Sequence, residues 1–170
     1  IEVEPVCPKS SELRKVRSIE TARAPQPSQD LHSFWRDYLV GRDRSLGIEL
    51  LTSSQSYRSL MKVQVESMAL EPGQRVVDLG SGTGAFALTL AGMPDRPKDL
   101  KIINVDYVRE ALLRGRDRLA GVPGKESLHV DHAEFDLDLG PSSQGVPLAS
   151  ASQDRVLGSL LLSYLEDPEK

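Results

Sequence analysis

Val76 to Leu90 reads VVDLGSGTGAFALTL. A β-branched run leads to an acid, Asp78. Glycines then stand at alternate positions, Gly80, Gly82 and Gly84, and a helix-forming run follows. A strand that passes through such a loop straight into a helix is the opening of a βαβ unit. Its loop sits at the carboxyl end of the strand, where open α/β sheets bind ligands. Glycine lets that backbone adopt positive φ and lets a ligand approach with no Cβ in the way. N–H groups at the following helix start then meet a polar ligand. The loop is a candidate nucleotide-type binding site.

The rest of the chain agrees with an α/β reading. RVVDLG and KIINVD read as strands, each followed by a helix: AFALTLAG, then YVREALLRGRDRLAG, ending at Gly121. SLHVDHAEFDL reads as a third strand, GPSSQGVPLASAS as loop, and DRVLGSLLL as a fourth strand. This alternation implies parallel βαβ units with right-handed crossovers. Upstream, Leu31, Phe34, Trp35, Tyr38 and Leu39 form one stripe of an amphipathic helix that Ser28 or Asp30 can cap and Gly41 can end. Tyr57, Leu60, Met61, Val65 and Met68 share the apolar face of a second helix, from about Ser54 to Ala69. Three segments result: a proline-containing arm over 1–29, a helical cap over 30–69, and the α/β core over 70–170.

The glycines alone leave two ligands open. Gly80-x-Gly82-x-x-Ala85 satisfies the relaxed dinucleotide pattern, with Asp106 as the ribose acid, and the P-loop pattern is missing from the sequence. Asp78 separates them. A pyrophosphate received beside an ionised carboxylate would be repelled, at a cost of about 4 kcal/mol for charges ~4 Å apart at intermediate dielectric. An acid suits a ligand that carries a cation instead, and S-adenosylmethionine carries an ammonium and a sulfonium and no phosphate.

With these residues in view, VVDLGSGTG resembles motif I of class I S-adenosylmethionine-dependent methyltransferases, an acid followed by G-x-G-x-G. INVDYV resembles their second motif and HAEFDLDL the third. PLASASQDRVLGSLLLSYLEDPE resembles the fourth-strand region of the UbiE-like, methyltransferase type 11 group. The resemblance covers roughly 70 to 170. It implies a Rossmann-like core with strands 3-2-1-4 of a seven-stranded sheet in which strand seven is antiparallel, S-adenosyl-L-methionine as cofactor, and a small-molecule acceptor. It also implies a second chain or C-terminal segment that completes the sheet. By position, Gly80, Ser81 and Gly82 would wrap the methionyl part, with Asp78 orienting the loop and helping to hold the ammonium. Asp106 would accept the ribose hydroxyls and Tyr107 would lie against the adenine. Asp136 would accept the adenine amino group and Leu137 would cover the ring. Gly158 or Ser159 would contact the ammonium, and Tyr57 would serve as a lid residue.

Other residues carry less. Trp35, Tyr38 and Phe34 read first as a core stripe and second as substrate lining. Asp131 and Asp138 compete with Asp136 for the third-strand role. His129 and His132 are three positions apart and point to opposite faces of one strand, against a shared metal site. Arg114 to Arg118, RGRDR, reads as a solvated helix face. SLLLSYL stands where amino-methylating DNA enzymes carry NPPY, and no Pro-Cys pair is present, so nucleic-acid methylation is disfavoured. Tyr164 and His132 are the only base candidates; the catalytic residues are otherwise unassigned. A non-catalytic cofactor-binding subunit and an NAD-dependent oxidoreductase are the competing functions.

Composition sets outer bounds. The 170 residues suffice for one core. A net charge of −4 argues against non-specific nucleic-acid binding. No apolar run is long enough to span a membrane, and no signal-peptide pattern is present. Cys7 is the lone cysteine, so no intrachain disulfide can form, and a cytoplasmic setting is expected.

Overall fold

The structure is a computed structural model that describes residues 29–42, 47–123, 125–137, 148–161 and 165. Residues 1–28 with the Ser28 cap, Asp138, Tyr164 and most of the loop before the fourth strand lie outside the described residues, and Asp30 falls inside the first helix, not ahead of it as a cap.

The elements run α1 (Gln29–Val40), α2 (Glu49–Thr52), α3 (Gln55–Ser67), β1 (Arg75–Leu79), α4 (Ala85–Gly92), β2 (Leu100–Asp106), α5 (Arg109–Ala120), β3 (Leu128–Glu134) and β4 (Arg155–Leu157). The four strands form one sheet in the order β3-β2-β1-β4, every pair parallel. This is the expected 3-2-1-4 order. β2 and β3 lie to one side of β1 and β4 to the other, so the order reverses beside β1, and the crevice above a parallel sheet opens at such a point.

Alternation along β1 and β2 explains the register. Val76 pairs with Ile102 and Asp78 with Asn104. Val76, Leu100, Ile102 and Leu128 face the main core, where Phe86, Leu90 and Met61 from α4 and α3 complete the packing. Val77, Val105 and Ala133 face the other side, against Phe135, Leu137 and Leu148. Burying Phe86 and Leu90 completely contributes roughly 1.5–3 kcal/mol each. β4 is held at its start by Asp154, whose carboxylate accepts from the Arg75 backbone N–H at 2.8 Å and pairs with its guanidinium at 3.2 Å.

The helix starts and stops follow local chemistry. Ser54 Oγ accepts from the Tyr57 N–H and caps α3. Gly41, with φ +80°, ends α1. Both apolar stripes are buried only in part. In α1, Leu39 is buried but Phe34 is 58% exposed and Tyr38 38%, because α1 meets the core chiefly along α5. In α3, Met61 and Val65 are buried while Leu60 lies at the surface. The third and fourth strands are shorter than expected. β3 stops at Glu134, and Phe135 to Leu137 leave the sheet. β4 stops at Leu157, and the chain then bends through Leu160, held at φ +58°.

Candidate functional site

The site is built outward from the turn after β1. Gly80, Gly82 and Gly84 have φ of +67°, +52° and +77°, a region that L side chains enter at a cost of about 1–2 kcal/mol. The turn is pinned to its neighbours: Ser81 N–H donates to Val105 O at 3.0 Å and Gly84 N–H to Ser81 O at 2.9 Å. Gly82 N–H donates to Asp106 Oδ2 at 2.8 Å, while Asp106 Oδ1 accepts from Val108 N–H at 2.9 Å. Asp106 thus joins the glycine turn to the start of α5, so both the capping role and a ligand-facing position are present in one residue. A Cβ on Gly80 would stand 2.7 Å from Leu161 Cδ1, the flexible end of a side chain, so the demand for glycine there comes chiefly from its φ of +67°.

Asp78 lies beneath the turn, 3% exposed, across the ladder from the fully buried Asn104. Burial, and secondarily the Asp106 carboxyl, push its pKa up to about 8. This corrects the electrostatics expected from sequence: near neutral pH Asp78 is held protonated until something positive approaches. Burial also raises the Asp106 pKa, against the backbone N–H groups of Val108, Gly82 and Tyr107 and the nearby His32, which lower it.

A cleft with about 1040 Å³ of empty space, its open mouth included, lies over the turn. It brings together Gly80, Ser81, Gly82, Asp106, Tyr107, Asp136, Leu137, Ser159 and Tyr57. Gly158 and Asp78 stand behind that lining. Ser159 Oγ is engaged with Gln64 Oε1 of α3 at 2.9 Å. Tyr107 meets His32 edge to face at 5.6 Å. Trp35 and Tyr38 line the cleft as well, whereas Phe34 does not. Two hydroxyls in the lining, Ser81 Oγ and Thr52 Oγ1, are buried with no hydrogen-bond partner among the described residues.

Two expectations fail here. His132 is not beside the cleft: it faces a groove with Arg116, Lys125 and Val130 beside α5, because its position on β3 points it at that helix. RGRDR is not simply a solvated face. Arg114 pairs with Glu49 of α2 at 3.3 Å and donates to Val40 O at 2.8 Å. Arg118 donates to Thr83 Oγ1 at 2.9 Å. Between them Gly115 lets α5 approach the turn: a Cβ there would stand 3.0 Å from the Thr83 carbonyl. Only Arg116 and Asp117 of this run are exposed. The supporting set of Thr52, Asn104, Gly115 and Arg118 was not expected from sequence. The glycine inside RGR, unfavourable in a helix interior, was the one available signal for close packing.

A turn of three left-handed glycines above a buried carboxyl pair, at the reversal point of a parallel sheet, limits the families to consider. The family model for protein-L-isoaspartate(D-aspartate) O-methyltransferase matches residues 37–139, more than half of the chain. The chain belongs to this methyltransferase family. The class I expectation from the motifs stands, and the model that matches bears the PCMT description. No curated protein matches the sequence.

Solved structures agree on the fold of this PCMT-family chain. A S-adenosyl-L-methionine-dependent methyltransferase from Aquifex aeolicus is 20% identical at a TM-score of 0.52, over 71% of this chain and 59% of that one. Phosphoethanolamine N-methyltransferase 1 of Haemonchus contortus, in complex with phosphoethanolamine and S-adenosylhomocysteine, is 19% identical at a TM-score of 0.54, over 80% and 26%. A chain from Methanococcus maripaludis assigned as a S-adenosyl-L-methionine-dependent methyltransferase is 16% identical at 0.52, over 71% and 49%. The chain thus spans between about a quarter and three-fifths of their lengths. The cofactor of such methyltransferases is S-adenosyl-L-methionine, and the residues present fit it: an open glycine cradle, a carboxyl beneath it, and an unpartnered buried hydroxyl at Ser81.

Proposed function

We propose that this chain holds S-adenosyl-L-methionine for methyl transfer to a small-molecule acceptor. The observation that carries the reading is the buried Asp78–Asp106 pair under the triple-glycine turn. In this reading Gly80 to Gly82 wrap the methionyl portion, and Asp106, which already accepts backbone N–H groups of Gly82, Val108 and Tyr107, also accepts from the ribose hydroxyls. Tyr107 and Leu137 cover the adenine from two sides, and Asp136 accepts its amino group. Gly158 and Ser159 approach the methionyl ammonium from the end of β4. Tyr57, at the first turn of α3, closes the mouth.

When bound, the cofactor supplies a methyl already activated by a positive sulfur. What remains for this chain is to hold donor and acceptor in line and to exclude water, work for which the wall of α1, α2 and α3 is placed. Calorimetry tests the reading: S-adenosylmethionine and S-adenosylhomocysteine should bind one to one, and Asp106→Ala should weaken both at least about tenfold, the loss of one or more charge-assisted hydrogen bonds. Unchanged affinity in that variant would remove Asp106 from the site.

A further inference from the structure

β3 is an outer strand of the sheet, and no described residue pairs with its free edge. Its pairing with β2 runs without a bulge from Leu128 to Glu134. Ser127 O accepts from Asp99 N–H, and Phe135 N–H donates to Asp106 O. The odd-numbered residues of β3 thus turn their backbone groups to β2, and Leu128, Val130, His132 and Glu134 turn theirs outward. The strand carries no Pro, Lys or bulge of the kind that blunts such an edge. Side chains divide the same way. Leu128, Val130 and His132 line the groove beside α5, with Leu119 and Ala120. His129 and Asp131 stand exposed on the opposite face.

This edge is complementary to itself. Two copies of β3 laid antiparallel about a two-fold axis meet in few registers, because each hydrogen-bonded pair must join outward-facing residues. A ladder centred on Asp131 sets one Asp131 against the other, which is unfavourable. One centred on His132 sets Val130 against the Glu134 carboxylate, and one centred on His129 is cut short at Val130. A ladder centred on Val130 avoids all three. It sets valine against valine and places each His129 opposite Asp131 of the other copy, at the close non-hydrogen-bonded positions. Glu134, already paired with Arg109 at 3.7 Å, falls beyond its ends. α5 packs across β2 and β3. The two α5 helices would then lie two strand spacings apart, ~9.6 Å, within the range of packed helices, about 8–10 Å. We propose that the outer edge of β3 is a self-association surface. It joins a second copy of this chain about a two-fold axis at Val130, with Leu128 to His132 of each copy paired and the two sheets continuous. None of these residues lines the cleft, so the proposal stands apart from the cofactor reading.

Sedimentation velocity over a wide concentration range tests it: the chain should pass from monomer to dimer as concentration rises. Val130→Pro removes an outward N–H and leaves the ladder to β2 intact. It should stay monomeric throughout, with the circular dichroism of the wild type. His129→Asp sets carboxylates opposite one another and should weaken the dimer roughly three- to thirtyfold. Adding Asp131→His to that variant restores the pairing and should recover the affinity. The register is read by cross-linking. With the lone native cysteine removed by Cys7→Ser, the His129→Cys and Asp131→Cys variants are oxidised separately and together. Opposed positions of a ladder lie within disulfide reach, so the mixture should form a covalent dimer and neither variant alone should. A wild type that stays monomeric at every concentration would overturn the proposal. A folded Val130→Pro variant that still dimerises would overturn it too, as would a cross-link formed by either cysteine variant alone. Should Val130→Pro fail to fold, the charge exchange and the cross-links decide, since both replace exposed side chains.

Discussion

Asp78 concentrates the chemistry of this protein in one carboxyl group. Its pKa of about 8 in the folded chain stands far above the ordinary 3.8. Between those values the native state keeps a proton that the unfolded chain has released, so stability falls as pH rises through that window, by at most about 1.4 kcal/mol per pH unit. Below about 4 both states are protonated and the penalty vanishes; above about 8 it is constant. Asp78→Asn removes this dependence. Urea denaturation from pH 5 to 9 should therefore show the variant gaining on the wild type as pH rises to about 8 and then levelling. Parallel curves for the two proteins would mean that the carboxyl ionises freely. Gly80→Ala is the complementary case. It forces an L residue to φ +67° and drives a methyl against Leu161. Stability should drop by about 1–3 kcal/mol, and cofactor binding should be lost in calorimetry. At this scale the sequence was informative where one residue type carries the reason, an acid before a glycine turn or an acid ending a strand. It was silent on Asn104 and Thr52, whose buried Oδ1 and Oγ1 have no hydrogen-bond partner among the described residues.

At the scale of elements, α5 acts as a strut. Its Arg114 holds α2 through Glu49 and the end of α1 through Val40, and its Arg118 holds the glycine turn through Thr83. Two glycine substitutions separate packing from propensity. Gly92→Ala at the end of α4 meets nothing within 4 Å and should stabilise by up to about 1 kcal/mol. Gly115→Ala gains the same helix propensity but presses on the Thr83 carbonyl. It should lower the melting temperature and weaken cofactor binding. A rise in melting temperature for Gly115→Ala would show that the turn can move aside. Arg114→Met should leave the sheet intact and speed hydrogen exchange in α1 and α2 selectively; equal exchange across those helices would contradict the strut. The sequence showed α4 and α5 almost to the residue because α4 is a short apolar run and α5 an amphipathic one, each between clear breaks. It exposed neither α2, one turn long and below any periodic signal, nor the shortness of β4, where apolar residues continue past the last ladder pair.

For the whole molecule, topology turns a local motif into a site. Parallel order β3-β2-β1-β4 places the ends of β1, β2 and β3 at one edge of the sheet, and with them Asp78, Asp106 and the Phe135–Leu137 segment. The cap helices lie over the same edge, and no helix among the described residues is long and apolar enough to cross a membrane. The α/β class and strand order were legible because alternating strands and helices admit few connections. The way the cap leans over the cleft was not, since it depends on long-range pairs such as Glu49 with Arg114. The central claim is that this cradle takes a cationic adenosine cofactor and refuses a dinucleotide. Isothermal titration of the same protein with S-adenosylmethionine and with NAD tests it most directly. One-to-one binding of the first with no heat from the second is the predicted result; saturable binding of NAD, or of neither, would contradict it.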